Sequence, residues 1–374
     1  MAASRMDVAQ RVAAFEFACH AMDVVFSKTH YLPKIPRPAL RDRGNPMELY
    51  DEEQFHARYR FTKHAVRQLL SMLPLQESGD NRGQPVPPML QLLMALRFYS
   101  AGTFQTVTGD LVRIPQSTVC RAVGKVTMLI AKHLYSILVR FPQPAEFQQV
   151  MRDFYEVAEF PGVTGCIDCT HVRIKSPGGE NDEVFRNRKG YFSFNVQAVA
   201  GPGLQFFDIV AGWPGSVHDS RIFDNSRLRV LYEQNRVPGV LSGDAGYACQ
   251  PYLFTPFSEP GPTDTPKGRY QKAQIKTRNV VERAFGVWKR RFPCLDMGMQ
   301  HKAKNIVHII TACAALHNLA CLLRELEPPA QRVPQPSPIS TVATRTVHLP
   351  PVDRLTDSRS GNQARDLLIR KSFT

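Results

Sequence analysis

The chain has 374 residues, of which 43% are hydrophobic and 21% charged, so it can bury a core and is not disordered as a whole. Its eight cysteines are too few for a disulfide-held scaffold, and the charged residues Arg5 and Asp7 near the N-terminus are not typical of a secretory signal. Because no uninterrupted apolar run reaches ~18 residues, we expect no membrane partner and a reducing compartment, either the nucleus or the cytoplasm.

Basic residues exceed acidic ones. The chain has 47 Lys and Arg against 33 Asp and Glu, a formal net charge of +14, which favours a polyanionic partner. The excess is uneven, because residues 151–266 carry a net charge of −4 and residues 267–304 a net charge of +9. An acidic region followed by a basic one suits a site that holds metal ions beside a polyphosphate, although uneven surface charge gives the same pattern.

Residues 1–150 are predicted to form a helical region that ends at the Pro-rich segment 141–144. Apolar residues recur at helical spacing in Val8–Phe26, Phe61–Leu73, Met89–Tyr99 and Val119–Leu138. Residues 104–131 have the pattern of a helix-turn-helix, with Ile114, Val119 and Val123 on the buried side of the second helix. The residues predicted to face outward and contact DNA are Gln116, Ser117, Thr118, Arg121 and Lys125. A helical hairpin that supports the rest of the chain or forms a dimer interface is the alternative.

Residues 151–326 are predicted to form a second domain, entered through a helix at Ala145–Ala158. Alternating or continuous apolar patterns predict three sequential strands, then a helix, two short strands and two further helices. The predicted ranges are strands Thr164–Ile174, Tyr191–Ala200, Leu204–Ala211, Gly239–Gly243 and Tyr252–Thr255, and helices Asp219–Gln234, Arg278–Arg291 and Asn305–Leu326. This order indicates an α+β or mixed α/β domain, a mixed sheet flanked by helices. Residues 327–374 are predicted to be a Pro-rich linker and a short helix at Ala364–Lys371.

Four acidic residues have unusual positions. Asp168 lies within an apolar strand, Asp244 follows another strand, Asp219 begins a helix, and Glu282 lies at the edge of a buried helical stripe. Carboxylates gathered in this way repel one another unless they bind hard divalent cations, and two Mg²⁺ ions can support hydrolysis of a phosphodiester. The alternatives are a helix N-cap for Asp219, a turn for Asp244 and an ion pair with Arg278 or Lys289 on a solvated face for Glu282.

An ordered set of motifs contains these acids. The set comprises Gly165-Cys-Ile-Asp-Cys-Thr-His171, Asn187-Arg-Lys-Gly190, Trp213-Pro-Gly-Ser-Val-His-Asp-Ser220, Gly243-Asp-Ala-Gly-Tyr247, Val281-Glu-Arg-Ala-Phe-Gly286 and Leu316-His-Asn318. Together these motifs, over roughly residues 85–325, closely resemble the PIF/Harbinger DDE transposases and the nuclease derived from them. The resemblance implies an RNase H-like fold with a catalytic triad of Asp168, Asp244 and Glu282, and Asp219 as an additional metal-site candidate.

The resemblance also implies a function. We expect Mg²⁺ or Mn²⁺, two ions per site, and double-stranded DNA as substrate, with hydrolysis and strand transfer at the terminal inverted repeats of transposon ends. A homodimer or higher oligomer, a Myb-like DNA-binding partner protein and a nuclear location are expected as well. A domesticated nuclease without transposition and a non-catalytic DNA-binding scaffold remain as alternatives.

Two basic clusters are predicted to contact DNA phosphates. Lys267, Arg269, Lys272, Lys276 and Arg278 precede Glu282, and Arg186, Arg188 and Lys189 lie between the first two strands. A solvated loop is the alternative for the first cluster.

The remaining motif residues are predicted to be structural. Cys166 and Cys169 are expected on opposite faces of a strand, so packing is a better interpretation than a zinc site. His171 and His218 neighbour candidate ligands, where a structural role is expected more often than contact with a water or phosphate. The pair His317-Asn318 is expected to make a hydrogen bond within the core.

Overall fold

A mixed five-stranded sheet lies at the centre of the computed structural model, which describes residues 45–75, 86–101, 116–180, 182–259, 261–329 and 359–373. The strands are β1 (Val163–Arg173), β2 (Ser193–Ala200), β3 (Phe206–Pro214), β4 (Val240–Ser242) and β5 (Leu253–Phe254). Their order is β3-β2-β1-β4-β5: β1, β2 and β3 are antiparallel neighbours, and β4 runs parallel to β1 and β5. The predicted meander is confirmed, and the topology is consistent with an RNase H-like fold.

Helices surround this sheet. Those in the described ranges are α1 (Pro46–Leu49), α2 (Glu52–Tyr59), α3 (Lys63–Ser71), α4 (Pro88–Ala101), α5 (Gln116–His133), α6 (Tyr135–Leu138), α7 (Phe147–Ala158), α8 (Asp219–Asp224), α9 (Arg227–Glu233), α10 (Pro266–Arg291), α11 (Ala303–Leu322) and α12 (Arg359–Ser372). Short 3-10 turns lie at Asp182–Phe185 and Pro293–Leu295. Helices α7 and α10 pack on β1, α11 packs on β3, and α8 contacts β2.

Helices α10 and α11 meet the edge strand β3 in a buried aromatic group. The ring of Phe206 lies 5.2 Å from that of Trp288 and 4.8 Å from the imidazole of His317, measured between centroids. All three side chains are fully buried. This aromatic group fixes α10 against the sheet, and α10 carries Glu282.

His317 and Asn318 make the core hydrogen bonds that the sequence predicts. The backbone N–H of Phe206 donates to Asn318 Oδ1 at 2.7 Å, and Asn318 Nδ2 donates to the carbonyl oxygens of Phe206 (2.7 Å) and Leu138 (2.8 Å). His317 Nε2 lies 2.8 Å from the Leu204 carbonyl oxygen. The prediction of a structural role for this pair is confirmed, because it joins α11 to β3 and to the end of α6.

The helix predicted over 219–234 is wrong in its extent. It is broken at Asn225, and Ser226 caps the second helix by accepting a 3.3 Å hydrogen bond from the N–H of Arg229. Asp219 begins α8 as predicted but is not its N-cap, because His218 Nδ1 accepts from the N–H of Ser220 instead. Helical periodicity runs through the break, which is why the sequence did not show it.

Helix α10 begins twelve residues before the predicted start at Arg278, so the solvated-loop alternative for its basic segment is wrong. Thr265 Oγ1 caps the helix by accepting from the N–H of Gly268 at 3.1 Å, and Pro266 occupies the first turn, where proline is tolerated. The buried face includes the polar residues Gln274 and Thr277, which interrupt the apolar period.

By length and composition alone, helix α11 could cross a membrane. The search for an uninterrupted apolar run did not find this helix, because polar residues such as His308 and Asn318 interrupt it. Its most apolar window of 18 residues has a mean hydropathy of 1.5 and is 67% buried within the protein. Core helices meet the same criterion, and α11 packs against α5 and β3 in this way.

Helix α5 corresponds to the second helix of the predicted helix-turn-helix. Val119 and Val123 are buried, as predicted, whereas Gln116, Ser117, Thr118, Arg121 and Lys125 are exposed or half-buried. Residues 102–115, which include Ile114 and the predicted first helix, lie outside the described residues, as does the predicted helix Val8–Phe26. DNA contact by α5 therefore stays a prediction.

Candidate active site

Asp168 and Asp244 extend from neighbouring parallel strands. Cys166 on β1 pairs with Ser242 on β4, and each aspartate follows its paired residue by two positions. Because β1 and β4 are in register at this pair, Asp168 on β1 and Asp244, just beyond the end of β4, lie at about the same level along the sheet. The structure therefore places the first two candidate acids on neighbouring parts of the sheet.

Burial makes this pair of carboxylates hard to ionise. The pKa of Asp168 is raised from 3.8 to about 7, first by burial and then by the negative charge of Asp244, with a smaller contribution from Asp219. Burial also raises the pKa of Asp244, and the charge of Asp219 adds to the shift. Each aspartate accepts one local backbone hydrogen bond, from the N–H of Cys169 (2.7 Å) and of Gly246 (2.9 Å), which opposes the shift.

Glu282 reaches this site through an arginine. Nη1 of Arg278, one helical turn earlier on α10, lies 2.7 Å from Glu282 Oε1 and 3.7 Å from Asp168 Oδ2. The side chain of Glu282 is 47% exposed, whereas that of Asp168 is only 15% exposed. Glu282 therefore lies at the open rim of the site, and the Arg278 guanidinium is the cation between the first and third candidate acids. The ion-pair alternative for Glu282 and a place beside Asp168 are both observed.

Asp219 is held on the opposite face of the sheet from α10 by a side chain of β2. Asn195 Nδ2 donates to Asp219 Oδ1 at 2.7 Å and to the Val217 carbonyl oxygen at 2.9 Å. Asn195 is 1% exposed, and its Oδ1 has no hydrogen-bond partner in the described structure. The charge of Asp219 also raises the pKa of Cys169, next to Asp168, after burial as the larger cause. The sequence offered no signal for Asn195 as the partner of Asp219.

The donor chemistry of these carboxylates suits a divalent cation. A bound cation would stabilise the ionised form that burial disfavours, and hard cations take oxygen ligands. The Arg278 guanidinium already supplies such a charge between Asp168 and Glu282. In the part of the chain that the structure describes, no three Asp, Glu, His or Cys side chains stand close enough together to hold a metal ion as they are. A metal ion held by Glu282 would therefore require the Arg278 side chain to move.

The comparisons with known proteins concern this same region. Residues 167–318 match the model of a family described as "DDE superfamily endonuclease". The chain is 34% identical to the human protein named "Putative nuclease HARBI1" over 276 residues, which are 72% of this chain and 78% of that relative. The chain belongs to the PIF/Harbinger family.

More distant relatives of this Harbinger-family chain agree with that assignment. The Xenopus laevis protein of the same name is 32% identical over 269 residues, 70% of this chain and 76% of the relative. "Protein ALP1-like" of Arabidopsis thaliana is 27% identical over 257 residues, 64% of this chain and 62% of the relative. No solved structure matches the chain.

Basic side chains of this Harbinger-family protein line the outer face of α10. At about 100° per residue, Arg269, Lys272, Lys276 and Arg283 fall on one exposed side of the helix, and we call them the α10 stripe. Arg283 was missed by the sequence analysis, because its alignment with the others shows only once the helix is known to begin at Pro266. Lys267 lies off the stripe, 5.4 Å above the ring of Phe257.

The predicted cluster between β1 and β2 is partly neutralised. The Arg186 guanidinium lies 2.7 Å from Glu183 Oε2 and 4.3 Å above the ring of Phe192. Arg188 and Lys189 are exposed and have no ion-pair partner in the described ranges. Both positive charges help to lower the pKa of the half-buried His171, after burial and Lys289. His171 Nδ1 lies 3.1 Å from Ser193 Oγ, a contact within the sheet.

Cys166 and Cys169 contact different parts of the protein. Cys166 Sγ donates to the Thr277 carbonyl oxygen of α10 at 3.2 Å, whereas Cys169 Sγ lies 3.4 Å from the hydroxyl of Tyr247. The two thiols thus project from opposite faces of β1, as the sequence predicts, and do not converge on one ligand.

Proposed function

We propose that this chain is a divalent-metal-dependent DNA endonuclease whose catalytic carboxylates are Asp168, Asp244 and Glu282, with Asp219 as a fourth acid. The observation that carries the proposal is the placement of Asp168 on β1 beside Asp244, which follows the neighbouring parallel strand β4, so that two like charges are partly buried together. A protein with only a structural role gains nothing from this arrangement, because each buried carboxylate opposes the charge of the other.

The protein residues position the reaction. Asp168 and Asp244 would hold Mg²⁺ or Mn²⁺ from the sheet, Glu282 would complete the set from the rim, and Asp219 would be available from the other side. Two such ions, when bound, supply an activated water and stabilise the leaving oxygen of the scissile phosphodiester. The hydrogen bond from the Asn195 amide orients the carboxylate of Asp219. The backbone N–H groups of Cys169 and Gly246 likewise orient the carboxylates of Asp168 and Asp244, respectively.

Double-stranded DNA is the substrate that the charge distribution supports. The α10 stripe and Glu282 lie on the same helix, about 110° apart around its axis, so a duplex that contacts both must lie across the exposed face of α10. Arg278 pairs with two site carboxylates, and its proposed contribution is therefore within the site, beside the scissile phosphate.

Hydrolysis is the main reaction of this proposal and strand transfer an additional one, because the vertebrate relatives have the word nuclease in their names. Transposition at terminal inverted repeats would use the same site in a second step, with a freed 3′-hydroxyl as the attacking group. The proposal includes a homodimer, because two DNA ends must be bound together for strand transfer. It also includes the Myb-like partner protein and the nuclear location that the family resemblance implies.

The test is cleavage of a supercoiled plasmid by the full-length protein with Mg²⁺ or Mn²⁺, compared with EDTA. We expect metal-dependent nicking by the wild type and a loss of at least about 100-fold in Asp168→Asn, Asp244→Asn and Glu282→Gln, because each removes a ligand charge. Glu156→Gln, an exposed acid on α7, is the matched control and should remain active. Equal activity in the wild type and the three site variants would refute the assignment.

A further inference from the structure

The C-terminal helix α12 is built onto the first half of α10. Its buried residues Gly361, Arg365 and Ile369, and Phe373 just after its end, recur every four positions and form one face. The ring of Phe373 lies 5.7 Å from that of Phe160 and 5.8 Å from that of Tyr270 on α10, measured between centroids. This face is thus part of the core.

Polar contacts fix the position of α12 further. Arg365 Nη1 donates to the Thr255 carbonyl oxygen at 3.3 Å, and its guanidinium lies 4.0 Å above the ring of Phe257. Arg269, a member of the α10 stripe, donates from Nε (3.0 Å) and Nη2 (2.8 Å) to the carbonyl oxygen of Phe373. A cation at a helix C-terminus is favourable because the last carbonyl groups carry partial negative charge. The end of α12 and the α10 stripe therefore meet at Arg269.

Positive charges gather at this junction without acidic partners. Arg370 and Lys371 are exposed in the last turn of α12, three and two residues before Phe373, whose carbonyl oxygen Arg269 contacts. In the described structure, neither they nor Lys272 and Lys276 form an ion pair. Exposed like charges on one surface repel one another, and a polyanion that lies across them relieves the repulsion.

We propose that α12 is part of the DNA-binding surface, with Arg370 and Lys371 extending the α10 stripe to contact the phosphate backbone of duplex DNA. The proposal rests on the proposed function for the identity of the polyanion. It assigns a role to a segment that lies outside residues 167–318, the range matched by the family model. A fixed helix suits this role, because its cations need not be ordered when DNA binds.

The dimensions agree with a duplex that spans both regions. Arg269 and Glu282 are thirteen positions apart on one continuous helix, which is about 20 Å at 1.5 Å per residue. This distance equals about six base pairs at 3.4 Å each. A duplex that ran parallel to α10 from the candidate active site would therefore reach the end of α12 after roughly half a helical turn.

The test measures DNA affinity of the full chain in EDTA, so that catalysis does not enter. Fluorescence anisotropy with a 20-base-pair duplex of arbitrary sequence, repeated at several KCl concentrations, gives the slope of log affinity against log salt. We expect Arg370→Gln/Lys371→Gln to weaken binding about 5- to 30-fold and to reduce the slope by about 1–2, since each phosphate contact contributes about 0.9. Thermal unfolding should be unchanged, because both side chains are exposed.

The matched control is Arg67→Gln/Arg152→Gln, which removes the same charge from exposed positions on α3 and α7. An effect of equal size in the control would show a general charge effect and overturn the proposal. So would an unchanged slope in the α12 variant while Lys272→Gln/Lys276→Gln lowers it, because DNA contact would then end at α10. A loss on single-stranded RNA without one on duplex DNA would refute the DNA assignment. If the wild type bound no duplex, the proposed function itself would fail.

Discussion

Nη1 of Arg278 lies 2.7 Å from Oε1 of Glu282, one helical turn along α10, and this ion pair closes the rim of the carboxylate site. The same guanidinium lies 3.7 Å from Asp168 and lowers the pKa of that carboxyl, against the larger effects of burial and Asp244. Arg278 is thus the internal counter-ion of the metal-free protein. In a metal-bound enzyme its charge would compete with the ions for the same oxygens.

This relationship predicts the stability of Arg278→Gln. In EDTA at pH 8 the variant should lose about 1 kcal/mol, because two carboxylates lose their cation in a partly solvated setting. Mn²⁺ should stabilise the variant more than the wild type, since no arginine opposes ion binding. Thermal unfolding with and without Mn²⁺ measures both effects. Arg278→Lys keeps the charge and is the control. An unchanged difference between Arg278→Gln and the wild type after Mn²⁺ is added would contradict the competition.

The raised pKa of Asp168 predicts how stability depends on pH without metal. Between its ordinary value of 3.8 and about 7, the unfolded chain has released a proton that the native carboxyl retains. The free energy of unfolding therefore falls as pH rises through this window and is constant above it, by at most about 4 kcal/mol for a shift of this size. Asp168→Asn has no carboxyl group at this position and therefore does not lose stability as the pH rises. Its advantage in melting temperature over the wild type in EDTA should grow from pH 5 to pH 8. A constant difference across that range would show that Asp168 ionises normally.

Binding of a metal ion should raise the free energy of unfolding by a measurable amount. At a Mn²⁺ concentration about 100 times the dissociation constant, a single bound ion adds about 2.7 kcal/mol to the free energy of unfolding. We expect a rise in the melting temperature of the wild type, a much smaller rise for Asp244→Asn, and a full rise for Glu156→Gln. If Asp168→Asn/Asp244→Asn were stabilised as much as the wild type, the ions would be bound elsewhere.

Much of the fold and the central pair of the site could be predicted from the sequence. The strand around Asp168 and the short strand before Asp244 have clear apolar patterns, and the family resemblance supplied their roles. The start of α10 was missed because its buried face includes polar Gln274 and Thr277. The contact of Arg278 with Asp168 and the docking of α12 depend on tertiary contacts, which local periodicity does not encode.

Replacing Asn318 should destabilise the fold without changing any side chain of the candidate active site. Asn318→Ala would remove three hydrogen bonds of 2.7–2.8 Å and leave the N–H of Phe206 buried without a partner. Each buried group left unsatisfied costs about 1–3 kcal/mol, so we expect a loss of roughly 3 kcal/mol or more in chemical denaturation. Thr311→Ala, on the same helix, is a milder control because its hydroxyl bonds only within α11. A loss below about 1 kcal/mol would show that α11 is held by apolar packing alone.

Asn195 predicts a coupling with Asp219. Its amide donates to Asp219 and to the Val217 carbonyl oxygen from a position that is 1% exposed, so Asn195→Ala should free the Asp219 side chain to rotate. If Asp219 acts in the reaction, Asn195→Ala and Asp219→Asn should each lower plasmid cleavage, by roughly 10-fold and 100-fold, and the double variant should match Asp219→Asn alone. Gln197→Ala, two residues along the same strand, controls for damage to β2. Independent, additive losses in the double variant would mean that Asn195 acts through the sheet and not through Asp219.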